Sequence, residues 1–218
     1  MRDKFNRELN QLYNEVKEMG ENCIYAVETA SRAILESPHS EESFTDILKQ
    51  AKTYEELIDH QERSIDGLCM RLMLHQQPVA SDLRTVTSAH NLIFDMERIG
   101  DQACDIAELG EYIHKYDENY KLHINALFTE VISMVKKAVA AFVNNELKLA
   151  YNVITDDDKV DSLFIVVKTE LINIIKNGGD GELALDMLMV AKYLERIADH
   201  SVNIAEWVVY SVTGEYKE

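Results

Sequence analysis

Acidic side chains recur at every fourth position in a helical phrase that the chain contains twice. The phrase MERIGDQACDIAE at residues 96–108 returns at residues 194–206 as LERIADHSVNIAE, with seven of thirteen positions identical. In the first copy, Glu97, Asp101 and Asp105 share one face of a helix, where like charges cost roughly 0.2–0.5 kcal/mol per pair. A sequence that keeps this repulsion twice indicates a bound metal ion or a basic partner.

A second acidic stripe lies on the helix that precedes the first phrase. Its members, Glu55, Asp59, Glu62 and Asp66, follow one another at spacings of four, three and four residues, so they fall nearly in line on a helix. Antiparallel neighbouring helices pack about 8–10 Å apart, so carboxylates at one level can converge on one ion. Counting outward from the loop around Pro78 matches the levels of the two stripes: Glu62 with Glu97, Asp59 with Asp101, and Glu55 with Asp105.

The second half of the chain carries a sparser copy of this arrangement. Counting outward from Gly179 brings Asp157 and Asp161 near the level of the second phrase. Non-acidic residues replace three of the first set: Phe164 for Glu62, Lys168 for Asp66, and Asn203 for Asp105. We therefore expect weaker metal occupancy in the second half. The predicted metal ligands are Glu55, Asp59, Glu62, Glu97, Asp101, Asp105, Asp157, Asp161, Glu195, Asp199 and Asn203.

A ligand set made almost entirely of oxygen atoms favours hard or borderline cations. Magnesium, calcium, manganese and iron suit such a set, whereas zinc sites use more cysteine and histidine. The alternative interpretation is a solvated surface, because carboxylates four residues apart are common on the polar faces of helices in an acidic chain. Recurrence in both halves, with matching levels across neighbouring helices, favours the metal site.

The elements that must position these residues are helices. Only two prolines and eight glycines occur in 218 residues, and no alternating strand pattern is present. Breaks in the helical pattern predict six helices, at about 5–36, 43–75, 81–115, 122–144, 147–176 and 182–212. Two sets of three indicate an all-α fold of two tandem, pseudo-symmetric antiparallel three-helix bundles, spanning residues 1–116 and 117–218.

Composition limits the classes of partner. The formal net charge is −17, and no cluster of lysine and arginine is present, which argues against nucleic acid and against anionic lipid surfaces. No stretch approaches the roughly 20 apolar residues of a membrane span, so we expect no direct membrane insertion. The three cysteines form no Cys-x-x-Cys pair, and we expect the polar first residues, with no apolar run behind them, not to act as a signal peptide. Together these features favour a cytoplasmic protein.

Catalytic machinery is not apparent in the sequence. No nucleophile elbow, Ser-His-Asp arrangement or phosphate-cradling glycine loop stands out. Residues 111–114 have the Glu-x-x-His spacing of ferritin-like di-iron sites, but those sites need a second such motif. We expect a protein that is not an enzyme. A carboxylate-bridged metalloenzyme, such as an iron oxidase or a phosphohydrolase, and a metal-free helical scaffold are the alternatives.

Four segments of the chain closely resemble the PhoU family of phosphate-transport regulators. They are residues 77–84 (QPVASDLR), 96–101 (MERIGD), 194–200 (LERIADH) and 203–206 (NIAE), and the resemblance extends over nearly the whole chain. It implies two pseudo-symmetric three-helix bundles, metal binding through Glu/Asp-x-x-x-Asp motifs, and a homodimer. By position, the family's acidic motifs fall on Glu55, Asp59, Glu97, Asp101, Asp105, Asp157, Asp161, Glu195 and Asp199, whereas Asn203 departs from the acidic pattern.

The resemblance also implies a biological role. Members of the family are thought to link the phosphate-specific ABC transporter to a sensor histidine kinase and to damp the phosphate-starvation response when phosphate is plentiful. The implied partners are therefore the ATPase subunit of that transporter and the kinase. The implied function is negative regulation of phosphate uptake through protein contacts.

Overall fold

The computed structural model describes residues 2–36, 41–76, 78, 80–114 and 122–215, and over those residues it contains six α-helices and no β-strand. The predicted all-α fold is confirmed. The predicted boundary between the two bundles, at residues 116 and 117, lies outside the described residues. The helices are α1 (Arg2–Leu35), α2 (Glu41–Gln76), α3 (Ser81–Ile113), α4 (Leu122–Asn144), α5 (Leu147–Lys176) and α6 (Gly181–Thr213).

The six helices form two three-helix bundles arranged in two layers. Helices α1, α2 and α3 contact one another, and so do α4, α5 and α6. The bundles meet where α3 contacts α6 and where α1 contacts α4. Helices α2, α3, α6 and α5 therefore lie side by side in what we call the front layer, with α1 and α4 behind it. No helix over the described ranges is long and apolar enough to cross a membrane.

Helices α3 and α6 run antiparallel at the centre of the front layer. Near the start of α3, the Thr85 hydroxyl lies 3.3 Å from that of Ser211 near the end of α6. Further along α3, Asp95 Oδ1 accepts a 2.9 Å hydrogen bond from Asn203 Nδ2. Residue numbers rise along one helix as they fall along the other. The two copies of the acidic phrase therefore lie next to each other, related by an approximate two-fold axis.

Helical periodicity decides which side of α3 faces outward. Leu92, Met96 and Ile99 are fully buried in a core cluster to which all six helices contribute. Burying each such side chain stabilises the fold by roughly 1.5–3 kcal/mol, so the apolar stripe determines the rotation of the helix. Glu97 and Asp101 are consequently left half-buried at the layer surface, as the spacing predicts.

A tight turn sets the alignment of α5 with α6. Gly178 has φ +82°, and the N–H groups of Gly178 and Gly179 donate to the last carbonyls of α5 at 3.1 and 2.9 Å. This double hydrogen bond ends α5 in a left-handed residue that glycine adopts without strain. Asp180 then caps α6 by accepting hydrogen bonds of 2.9 and 3.0 Å from two N–H groups of its first turn.

Glycine permits a close approach between α3 and α1. A Cβ atom placed on Gly110 would lie 2.6 Å from the carbonyl oxygen of Ala33, a backbone atom that cannot move aside. We therefore expect Gly110→Ala to destabilise the protein by about 1–3 kcal/mol in urea unfolding. The matched control is Gly67→Ala, where the nearest atom is the end of the Arg71 side chain at 3.5 Å. That variant is expected to gain about 0.5–1 kcal/mol from helix propensity. Equal unfolding midpoints would contradict the close approach.

Candidate metal centre

Three predicted ligands meet between α2 and α3. Glu55, Asp59 and Asp101 each offer a carboxylate oxygen, and the three atoms lie within 4.8 Å of one another. All three side chains are half-buried. We call these residues the first cluster. Among the residues that the structure describes, no other group of three carboxylate, histidine or cysteine ligands converges this closely.

The first cluster is electrostatically crowded. The pKa of Glu55 is raised by burial and then by the charges of Asp59 and Asp101. The pKa of Asp101 is likewise raised by burial, although Arg98 opposes the shift through a 3.2 Å hydrogen bond. A group whose charged form is disfavoured in this way is stabilised when a cation arrives.

Two further predicted ligands, Glu97 and Glu62, add to the concentration of negative charge around the first cluster. The pKa of Glu97 is raised by burial and then by Asp101, with smaller contributions from Asp59 and Glu62. Glu97 and Glu62 therefore lie near the first cluster, as the level counting predicts. One turn beyond, the Asp66 carboxylate pairs with His90 at 3.1 Å.

An open cavity of about 350 Å³ adjoins the first cluster. Burial raises the pKa of the Cys104 thiol in this cavity to about 11, so the thiol stays protonated at neutral pH. Lys52 is held by Glu108 in a 2.9 Å ion pair. The charged groups of the cavity that are left to face a cation are therefore carboxylates. Its lining residues are Lys52, Glu55, Asp101, Cys104, Asp105 and Glu108.

The donor set of the first cluster fits a hard or borderline metal ion. Oxygen ligands bind magnesium and calcium at about 2.0–2.6 Å, so three oxygens within 4.8 Å of one another can contact one ion. Water can complete its coordination because the cavity is open. Such an ion would supply positive charge that neutralises the carboxylates and ties α2 to α3. Manganese and iron suit the same oxygen set.

The second half of the chain brings together a looser group, which we call the second cluster: Asp157, Asp161, Glu195 and Asp199. Burial raises the pKa of Asp157 to about 6, and the charges of Asp161 and Asp199 add to the shift. Asp161 and Asp199 are exposed, and Glu195 is paired with the ammonium group of Lys192. The Lys192 nitrogen also lies 5.7 Å from the centre of the Phe164 ring.

The three consecutive aspartates at residues 156–158 have different surroundings. Asp156 is only 8% exposed and turns away from the second cluster, accepting 2.6 Å hydrogen bonds from Lys137 and Lys159. Burial alone would raise its pKa, but the two lysines hold it below the ordinary value. Asp158 is exposed. Asp157, which is half-buried, is the member of this run whose pKa responds to the charges of Asp161 and Asp199.

The two remaining predicted ligands lie at the boundary between α3 and α6. Tyr193 on α6 influences Asp105 on α3: burial and then the charge of Asp105 raise the pKa of Tyr193, and burial raises the pKa of Asp105 although the Tyr193 hydroxyl opposes that shift. Asn203 donates its amide to Asp95 on α3, and the same oxygen of Asp95 lies 2.8 Å from His200 Nδ1. Sequence reasoning treats each repeat separately and misses Tyr193 and Asp95. Their roles depend on the alignment of α3 with α6, which no loop length encodes.

The isolated Glu-x-x-His motif has a packing role. His114 Nε2 lies 2.5 Å from the carbonyl oxygen of Ala33 near the end of α1. Its ring also packs edge-on against Phe44, with 5.4 Å between ring centres. The histidine is thus engaged by the core of the first bundle, away from the first cluster.

Comparison with known proteins gives matches over both halves of the chain. A family model described as the PhoU domain matches residues 16–110 and again residues 124–208. The phosphate-specific transport system accessory protein PhoU homolog of Clostridium acetobutylicum is 32% identical, over 97% of this chain and 95% of that protein. The protein of the same name from Pseudomonas aeruginosa is 29% identical, over 97% of this chain and 86% of its own length.

Solved structures agree with the fold. The crystal structure of PhoU from Pseudomonas aeruginosa superposes with a TM-score of 0.89 at 29% identity, covering 97% of this chain and all of that one. The crystal structure of the phosphate transport system regulatory protein PhoU from Streptococcus pneumoniae gives a TM-score of 0.82 at 27% identity, covering 98% of this chain and 99% of that one.

The raised pKa of Asp157 predicts a pH-dependent cost in the metal-free protein. Because the folded-state pKa of about 6 exceeds the ordinary value of 3.8, the charged carboxylate destabilises the fold above that pKa. The cost vanishes below about pH 4, where folded and unfolded states both bind the proton. We expect Asp157→Asn to stabilise the chelator-treated protein by on the order of 1 kcal/mol at neutral pH, after solvent screening.

Urea unfolding at neutral and acidic pH measures this effect. The exposed neighbour Asp158→Asn serves as the comparison and should give a smaller gain at neutral pH. A gain for Asp157→Asn that persists unchanged at acidic pH would contradict the electrostatic cause.

Proposed function

Because the chain belongs to the PhoU family, we propose that it is a cytoplasmic accessory protein of a phosphate-specific transport system. In this role it restrains phosphate uptake and phosphate-starvation signalling when phosphate is abundant. The observation that carries the proposal is the match of the PhoU domain to both halves of the chain. It is supported by relatives of nearly equal length that are named for that transport system.

The proposed mode of action is protein contact. The partners would be the ATPase subunit of the transporter and the sensor histidine kinase, and the protein would act as a homodimer. A net charge of −17 suits partners with basic surfaces. The front layer presents carboxylates of both clusters outward, where a partner can reach them.

We further propose that the first cluster binds a metal ion, with magnesium, calcium, manganese and iron as the candidates. Supporting this assignment are the close approach of three carboxylate oxygens and the raised pKa values of Glu55 and Asp101. The second cluster would bind more weakly because its carboxylate oxygens do not converge as closely as those of the first cluster and because two of its carboxylates are exposed.

The outward placement of the first cluster argues against the carboxylate-bridged metalloenzyme. In ferritin-like oxidases the ligands project into the core of a helical bundle, where solvent is excluded. Here the carboxylates border an open cavity at the layer surface. A metal-free helical scaffold is the remaining alternative, and metal content distinguishes it from the proposed function.

Removing the first cluster should lower the metal content. We expect the purified protein to carry metal, and we expect Glu55→Gln with Asp59→Asn and Asp101→Asn to weaken binding at the first cluster by tenfold or more, since losing even an outer-shell partner of a ligand typically costs about 10–100-fold in affinity. The metal content should then fall to what the weaker second cluster retains. Elemental analysis measures the content. The matched control, with the same change in charge, replaces three exposed glutamates by glutamine: Glu18, Glu56 and Glu111. Equal metal content in both triple variants would remove the ligand assignment.

Deleting the protein from its host should release phosphate control. At high phosphate we expect phosphate uptake and starvation-gene expression to rise, because the restraint on transporter and kinase is lost. A restored wild-type copy should reverse both changes, and the control triple variant should do the same. Unchanged uptake and expression after deletion would refute the regulatory role, whatever the metal content.

A further inference from the structure

We propose that the outer face of α5 forms the interface of a homodimer, by packing antiparallel against the same face of a second copy of the chain. This inference rests on the proposed function, which includes a homodimer, and adds the surface that joins the two copies. We call this surface the α5 face. It consists of Asp158, Ser162, Ile165, Thr169, Ile172 and Lys176.

The α5 face is a single line of residues on the side of the helix that points away from the core. Its members follow one another at alternating spacings of four and three residues, the pattern by which two helices pack along their length. All six are exposed. The opposite side of the same helix, with Val160, Val167 and Leu171, is buried in the core. The face is therefore free to contact another molecule.

Two isoleucines give the α5 face its apolar character. Ile165 is 62% exposed and Ile172 is 42% exposed, although isoleucine is among the residue types most often buried. Val166 and Ile175 are also exposed and lie beside the line, one on each side. A contiguous apolar surface of this kind marks a site of contact with another protein.

The two hydroxyl residues of the face can be covered without losing a hydrogen bond to water. Ser162 Oγ donates to the Asp158 carbonyl oxygen at 2.8 Å, and Thr169 Oγ1 donates to that of Ile165 at 2.8 Å. Each hydroxyl proton thus already has an acceptor on its own helix. Covering these side chains leaves no donor unpaired, which is the main cost of burying a polar group. Both side chains are short, so a large side chain of another helix can pack over them.

The α5 face is complementary to itself when two copies run antiparallel. With a two-fold axis level with Val167, Ile165 lies opposite Thr169 of the second copy. In the same alignment Ile172 lies opposite Ser162 of the second copy. Large side chains then meet small ones in each apolar layer, as close packing of two helices requires. A surface that fits its own copy is what a two-fold symmetric dimer needs.

The same alignment pairs opposite charges at both ends of the α5 face. Asp158 lies opposite Lys176 of the second copy, and the two-fold axis repeats this pair at the other end. Neither side chain has an ion-pair partner within the part of the chain that the structure describes. Complementary charges at the edge of an interface fix its register and disfavour other alignments.

Local charge explains why a second copy can dock here. Residues 158–176 contain three acidic and three basic residues, whereas the whole chain has a net charge of −17. Two copies repel each other through most of their surfaces, so a dimer needs a face without net charge. The equivalent positions on α2 differ, with Arg63 in place of Ile165 and Leu74 in place of Lys176. Of the two edge helices of the front layer, α5 alone carries the self-complementary pattern.

Light scattering of the purified, full-length protein tests the interface. We expect the wild-type chain at micromolar concentration to have twice the 25.0 kDa mass of one copy. Ile165→Glu with Ile172→Glu should raise the dimer dissociation constant by about a hundredfold or more, because like charges from both copies then meet at one interface. The matched control introduces the same charge at two exposed apolar positions of α2, Met70→Glu with Leu74→Glu, and should remain a dimer. Wild-type dimerisation of the α5 double variant would overturn the proposal.

A charge reversal tests the antiparallel alignment. Asp158→Lys alone places like charges opposite each other at both ends and should weaken the dimer by about tenfold or more. Adding Lys176→Asp restores the pairs in reversed order and should recover the wild-type dissociation constant. Failure of the second change to rescue the first would overturn the alignment. A monomeric wild type would refute this proposal together with the homodimer of the proposed function, whereas a dimer unaffected by the α5 variants would refute this proposal alone.

Discussion

The packing of α3 against α6 is the contact on which both clusters depend. Each of these helices buries one apolar stripe in the common core and therefore turns its acidic stripe toward the front of the molecule. Their antiparallel alignment brings the two acidic phrases side by side. Once α3 and α6 are placed, α2 and α5 can only pack against their outer flanks, where the stripes of Glu55 and Asp157 complete the two clusters.

The clusters carry a cost that the rest of the fold must offset. Burial and mutual repulsion raise the pKa values of Glu55, Glu97 and Asp101 on the first stripes, and that of Asp157 in the second cluster. Residues selected for stability alone would not be arranged in this way, since a lysine at one of these positions would relieve the repulsion between the carboxylates. Local destabilisation of this kind is typical of functional sites, where sequence rules for stability are broken for another purpose.

Much of this architecture could be predicted from the sequence. The limits of α4 and α5 agree with the predicted limits, because the Asn145–Glu146 and Asn177–Gly179 breaks interrupt a clear apolar period. The meeting of Asp59 with Asp101 could also be predicted, since short connections fix the level of neighbouring helices. Contacts between repeats could not. Asp95 contacts Asn203 only through the alignment of α3 with α6, which depends on core shape and has no connecting loop.

The two repeats have diverged by exchanging charge around one shared framework. Where the second repeat places Lys192 beside Phe164, the first places Phe94 and Glu62 at the equivalent positions. In the second cluster the ammonium group of Lys192 pairs with Glu195. In the first cluster the equivalent residue, Phe94, carries no charge. Arg98 and Arg196 are common to both repeats and cannot explain the difference. The unequal negative charge of the two sites therefore follows from several exchanges together: Lys192 for Phe94, Phe164 for Glu62, Lys168 for Asp66 and Asn203 for Asp105.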